Sequence, residues 1–176
     1  MGIFLSTVIL ASLFLILGAA FAFKSFKKCA FGFLRSKAAA LALVSVSLAW
    51  FLWILYNLTD ADFGQYKFIL MAVFGAAGIL SFKYLPDFLS VRGLSVLMLL
   101  LLRVFIDSAY MLDETYKCVF VAYCYALVVA FIYFGCLPYR MRDFFEYIYA
   151  KPARVKILSA FFAVSAAALF LTALTY

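Results

Sequence analysis

The feature that most constrains this chain is an apolar run at residues 93–112, which carries two charged side chains near its middle. Twenty helical residues at a rise of about 1.5 Å each span about 30 Å, the thickness of the hydrocarbon core of a bilayer. Arg103 and Asp107 are four residues apart, so they lie on one face of such a helix. The run therefore predicts a membrane-spanning helix with an intramembrane ion pair.

A polar stripe extends along the same face of this predicted helix. Its members fall within a narrow angular band: Arg92, Arg103, Asp107, Tyr110 and Glu114. A charged residue at the centre of a span costs about 2.5 to 3.5 kcal/mol on insertion, so we expect neighbouring helices or water to cover the stripe. Tyr123, Tyr125 and Tyr133 of the next apolar run are the candidate hydrogen-bond partners for it.

The composition extends this interpretation to the whole chain. Of its 176 residues 70% are apolar and only 13% are charged, whereas apolar content in soluble domains is about half. Six apolar runs fill nearly the whole length: 3–23, 38–58, 68–85, 93–112, 118–137 and 155–175. They leave no segment for a separate aqueous domain. Residues 1–176 are therefore predicted to form one all-α integral membrane domain, a bundle of about six transmembrane helices with short loops.

Two connections between the apolar runs have the pattern of an amphipathic helix. The clearer one is 139–151, where the apolar residues recur at i, i+3, i+4 and i+7: Met141, Phe144, Phe145 and Ile148. Charged residues take its opposite face, so we expect a helix in the membrane interface whose four apolar side chains contact lipid. The segment 24–37 fits either a similar helix or a basic loop that only sets orientation.

Basic residues are distributed very unevenly between the connections. With the N-terminus outside, the three inner connections (24–37, 83–92 and 139–156) hold twelve Lys or Arg, and the outer ones hold two, Lys67 and Lys117. An excess of Lys and Arg marks cytoplasmic loops. We therefore expect a multi-pass protein with both termini on the non-cytoplasmic side. The small size and short loops favour a bacterial inner membrane, and basic residues dispersed in loops do not indicate nucleic acid as a partner.

Residue types also exclude several kinds of chemistry. The chain has no histidine, which removes His-ligated haem, His-bearing zinc sites and nucleophile–His pairs. Its serines and acids form no catalytic constellation. The four cysteines fall at scattered predicted depths and are expected to be free thiols: Cys29, Cys118, Cys124 and Cys136. We expect no enzymatic activity, no metal site and no cofactor.

Two classes of function remain open. The first is a non-catalytic structural, lipid-contacting or assembly component of a membrane complex, which binds partner proteins through small-residue helix faces. Such faces contain Ala72, Gly75, Ala76 and Gly78 in the third run and Ser159, Ala163 and Ala167 in the last. The second is a small-solute, ion or proton transporter or channel that uses Arg103, Asp107 and Tyr110. A wet cavity beside Arg103 favours transport, and a packed stripe favours the component.

Overall fold

The computed structural model describes residues 2–23, 26–59, 64–84, 88–110 and 117–175, so the expectations for Lys24 and Glu114 lie outside it. Within these ranges the chain forms eight α-helices: α1 Ile3–Ala22, α2 Phe26–Leu34, α3 Lys37–Tyr56, α4 Lys67–Tyr84, α5 Leu89–Ser108, α6 Lys117–Cys136, α7 Tyr139–Tyr149 and α8 Pro152–Ala173. Six of them, all except α2 and α7, are long and apolar enough to cross a membrane. The all-helical class and the six long apolar helices agree with the prediction.

The helix α5 lies at the centre of the bundle. It packs against α3 and α6 and also contacts α1 and α2. It is the most buried of the six long helices, with 44% of its apolar stretch buried against 0% for α4. It begins at Leu89 and ends at Ser108, so each end lies four residues before the corresponding end of the predicted run 93–112. Gly93, the predicted start, lies inside the helix, where an added Cβ would meet Val44 Cγ2 at 2.9 Å.

Helices α3 and α5 run in parallel, with their N-terminal ends side by side. Gly93 in the second turn of α5 contacts Val44 in the third turn of α3, and buried Leu89 packs on Ala40. The Ser90 hydroxyl donates a hydrogen bond to the Phe33 carbonyl oxygen at 2.8 Å, which ties α5 to the end of α2. The two helices are parallel because the chain crosses the bundle once between them, through α4.

Helices α1 and α8 form the most extensive helix pair in the bundle, and they are antiparallel. A Cβ added to Gly18 would lie 3.2 Å from Phe162 Cβ and 3.3 Å from the Ser159 carbonyl oxygen. Of the small residues predicted in α8, Ser159 therefore lies at this contact and Ala163 reaches it with its backbone nitrogen, while Ala163 and Ala167 are both exposed residues. Small residues let the two backbones approach closely.

The helix α4 is peripheral and packs mainly against α3. It has no buried residue. Phe74 packs edge-on against Phe51 of α3, with ring centroids 5.1 Å apart. Of the predicted small-residue face, Gly78 contacts Leu48 of α3, but a Cβ on Gly75 would have no neighbour within 4 Å. The rest of that face is open.

Both amphipathic helices lie at one end of the bundle, where α2 contacts α7, α1 and α5. We call this the basic end, because it carries nearly all of the described basic residues. They are Lys27, Lys28, Arg35, Lys37, Lys83, Arg92, Arg140, Arg142, Lys151, Arg154 and Lys156. The opposite end, where α1 begins and α8 ends, carries Lys67 and Lys117. The folded chain thus concentrates its positive charge at one end.

Candidate functional site

The ion pair between Arg103 and Asp107 is present on α5. Arg103 Nε lies 3.8 Å from Asp107 Oδ2, one helical turn apart. The two side chains are 59% and 69% exposed, so the chain itself does not bury them. An exposed pair of this kind contributes little to stability, about 0.5 kcal/mol or less.

Arg103 and Asp107 lie on the outer face of α5, so the neighbouring helices of this chain do not cover them, whereas Arg92 near the start of the helix is half-buried. Val96 on the same face is 44% exposed, and Tyr110, two residues beyond the end of α5, is 72% exposed. Leu102 and Phe105 on the other side of the helix are completely buried. Burial of these large apolar side chains fixes the rotation of α5, and the charges are left facing outward.

The tyrosines of α6 do not complete a hydrogen-bond network around the stripe. Tyr125 and Tyr133 are exposed. Tyr123 instead packs edge-on against Phe14 of α1, with ring centroids 5.6 Å apart. The sequence predicted these tyrosines as hydrogen-bond partners of the stripe, and the structure places them elsewhere.

The position of the pair along its helix differs from the prediction, which placed both charges near the middle of the helix. Because α5 ends at Ser108, Arg103 is five residues from the end of the helix and Asp107 is one residue from it. Five residues correspond to about 7.5 Å along the helix axis. The pair therefore lies near the C-terminal end of α5 rather than near its middle.

The amphipathic segment 139–151 forms the helix α7, but its apolar face is turned toward the protein. Phe145 and Ile148 are buried, at 6% and 8% exposure, and Met141 and Phe144 are half-buried. Phe145 packs against Phe21 and Phe31, with ring centroids 6.5 and 6.2 Å apart. For Phe145 and Ile148 this burial replaces the expected lipid contact.

The physical reason is that α2 is amphipathic as well. Its buried residues Ala30 and Leu34 belong to the same apolar cluster as Phe145. Two short amphipathic helices at one end of a bundle bury more apolar surface by covering each other and α1 than by facing outward separately. Tyr149 joins this cluster, and burial raises the pKa of its phenol.

A cavity of about 730 Å³ opens at the basic end, between α3, α4, α5 and α7. Its lining residues are Leu34, Arg35, Ser36, Lys37, Ala40, Leu41, Phe82, Phe88, Leu89, Ser90 and Arg142. Three of them are cations, and none of these described lining residues is acidic. The cations come from the start of α3 and from α7, and most of the remaining lining residues are apolar.

Local structure explains how the cations reach this cavity. Ser36 is the N-cap of α3, and its hydroxyl oxygen accepts a hydrogen bond from the Ala39 backbone N–H at 3.2 Å. Arg35 and Lys37 flank this cap, at the positive end of the helix dipole. In the sequence, Arg35 and Lys37 contribute only to the excess of basic residues in the inner connections. No local pattern indicates that Arg35 and Arg142 line the same cavity.

Arg142 reaches the cavity from α7 and is partly neutralised there. Its guanidinium lies 3.4 Å from Asp143 Oδ1 and 3.5 Å from Glu146 Oε1. Neither Arg35 nor Lys37 forms an ion pair with a carboxylate in the described part of the chain. The cavity cations without a described carboxylate partner are therefore Arg35 and Lys37, at the start of α3.

The remaining candidate groups are the acidic side chains and the thiols. No group of three His, Cys, Asp or Glu side chains in the described residues is placed to hold a metal ion. The four cysteines are free thiols; Cys29, Cys118 and Cys136 are exposed and Cys124 is buried. Cys118 and Cys136 lie at opposite ends of α6, so these two thiols cannot act together.

An all-helical chain with six candidate spans, short connections and one strongly basic end has the architecture of a polytopic membrane protein. Comparison with protein-family models, with curated proteins and with solved structures finds no match to this chain. The functional argument therefore depends on the geometry of the molecule itself.

Proposed function

We propose that this chain is an integral membrane protein and a non-catalytic component of a membrane complex, which contacts lipids and meets a partner helix at the outer face of α5. Its six long helices cross a bacterial inner membrane, with the basic end toward the cytoplasm and both termini on the other side. The support for this orientation is the concentration of Lys and Arg at one end of the bundle.

The observation that carries the assembly role is the outward position of Arg103 and Asp107. Both side chains are more than half exposed on a helix whose other faces are the most buried in the bundle. Charged side chains near the hydrocarbon region are stabilised by pairing with another polar group, and a partner helix supplies such groups. Val96 lies on the same face, about two turns before Arg103, and is also exposed.

The transport alternative has less support. A carrier or channel that uses Arg103 needs this residue to line a cavity through the bundle. Neither the cavity of about 730 Å³ nor a smaller one of about 320 Å³ beside α7 is lined by Arg103, Asp107 or Tyr110. The exposed pair is therefore better suited to contact another molecule than to conduct a solute through this chain.

A photo-crosslinking amino acid at Val96 tests the assembly role in native membranes. We expect one discrete protein adduct from this position and none from Val164, which is equally apolar and lies exposed on α8. Replacing both Arg103 and Asp107 with Ala should abolish the adduct while the protein remains folded. Lipid adducts alone from both positions, together with Arg103-dependent solute flux in proteoliposomes, would support the transport alternative instead.

A further inference from the structure

We propose that the cavity at the basic end binds one anionic phospholipid, with the phosphate of its headgroup held by Arg35 and Lys37 and an acyl chain along the wall formed by Leu41 and Phe82. The site uses the proposed function only in requiring that the helices lie in a bilayer. It lies at the opposite end of α5 from Arg103, so either proposal can fail alone.

The charged side of the cavity matches a phosphate group. Arg35 and Lys37 stand on either side of the Ser36 cap, and their charge is not neutralised by any described carboxylate. The backbone N–H groups in the first turn of α3 add partial positive charge at the same place. A guanidinium supplies paired donors in a plane, and an ammonium supplies a compact charge, which together suit the oxygens of a phosphate.

The apolar side of the cavity distinguishes a lipid from a free phosphate ion. Leu41 is 59% exposed, and Phe82 near the end of α4 is 36% exposed. Both side chains therefore face outward from the bundle, where an acyl chain can enter from the membrane. Ala40 and Leu89 are buried and close the cavity behind them. A soluble phosphate ion would leave this apolar wall unoccupied.

The volume of the cavity and its position at the ends of three long helices suit an anionic phospholipid. Its volume of about 730 Å³ is within the range of about 300 to 1,000 Å³ that is usual for small-ligand sites. It is lined by the first turns of α3 and α5 and by Phe82 near the end of α4, where three long helices reach the membrane surface. Basic pockets between transmembrane helices at this level are suited to anionic headgroups.

The test uses the purified full-length protein in detergent micelles at physiological ionic strength. Three probes are added separately: dioctanoyl phosphatidylglycerol, dioctanoyl phosphatidylcholine and inorganic phosphate. The increase in the thermal unfolding temperature with probe concentration gives an apparent dissociation constant. We expect phosphatidylglycerol to bind about tenfold more tightly than phosphatidylcholine, and inorganic phosphate to give no measurable shift.

Paired variants locate the site. Arg35→Gln with Lys37→Gln should weaken phosphatidylglycerol binding by about tenfold or more. Lys27→Gln with Lys28→Gln is the matched control, since these residues are exposed at the same end but do not line the cavity. It should change the constant by less than about twofold. Leu41→Trp keeps every cation and narrows the opening, so it should also weaken lipid binding.

Two results would overturn the proposal. Equal weakening by both double variants would mean that diffuse positive charge, and not the cavity, attracts the lipid. Protection by inorganic phosphate as strong as that by phosphatidylglycerol, unaffected by Leu41→Trp, would assign the cavity to a free anion.

Discussion

The hydroxyl of Ser159 donates a hydrogen bond to the carbonyl oxygen of Gly18 at 2.7 Å, across 141 positions of sequence. This bond joins α8 to α1 where a Cβ added to Gly18 would lie 3.3 Å from the Ser159 carbonyl oxygen. Gly18 makes the approach possible because it has no side chain, and Ser159 adds a polar contact within an apolar helix pair. The first and last long helices are therefore fixed together.

Gly18→Leu should destabilise the protein by about 2 kcal/mol or more, because the new side chain would be forced against Phe162 and the backbone of Ser159. Gly75→Leu on α4 is the matched control, since a Cβ there meets nothing within 4 Å. Thermal unfolding of both variants in the same detergent gives the comparison. Equal stability of the two variants would show that α1 and α8 do not pack as described.

Arg103→Ala should change the free energy of unfolding by less than about 1 kcal/mol, because the ion pair that it removes is exposed to solvent or headgroups. The contrast is Phe105→Ala on the buried side of the same helix, which should cost about 3 to 5 kcal/mol. Denaturant unfolding in micelles measures both. A loss of several kcal/mol in Arg103→Ala would mean that the pair is buried by this chain after all.

Phe145→Ala should destabilise by about 3 kcal/mol or more, because the ring is buried among Phe21, Phe31 and the α2 helix. Tyr147→Ala, two residues away on the exposed side of α7, should cost less than about 1 kcal/mol. If α7 instead lay on the membrane with Phe145 in lipid, the two variants would have similar stability and Phe145→Ala would mainly reduce lipid contact.

The number and type of the long helices could be predicted from the sequence, whereas their rotation could not. Length and apolar content indicate a span, but lipid is as apolar as a protein interior, so helices such as α1 and α6 do not show which face is inside. The charges of α5 were expected to face inward, because burial beside a partner is one way to stabilise them. In the structure Leu102 and Phe105 are buried instead, so Arg103 and Asp107 face outward near the end of the helix.

For the amphipathic helix α7 as well, the sequence predicts the helix but not its neighbours. The spacing of Met141, Phe144, Phe145 and Ile148 correctly predicts a helix with one apolar face. Periodicity does not say what covers that face, and here α2 and α1 do so in place of lipid. The cavity at the basic end was not predicted for a related reason: Arg35 and Arg142 become neighbours only through the packing of these elements.

The native cysteines report on the orientation of the bundle. Cys118 lies at the start of α6, at the end opposite the basic end, whereas Cys29 in α2 and Cys136 at the end of α6 lie at the basic end; all three are exposed. If the basic end faces the cytoplasm, a membrane-impermeant maleimide added to intact spheroplasts should label Cys118 alone. Inverted vesicles should show the reverse pattern, with Cys29 and Cys136 labelled.

Cys124 is the internal control for this experiment, because it is buried in the core beside Phe120 and should react only after denaturation. Single-cysteine variants assign each signal, and Gln65→Cys and Glu146→Cys add one exposed reporter at each end. Labelling of Cys29 and Glu146→Cys from outside would reverse the orientation that we propose. Labelling of Cys118 and Cys136 from the same side would mean that α6 does not cross the membrane, and the six-span arrangement itself would then be wrong.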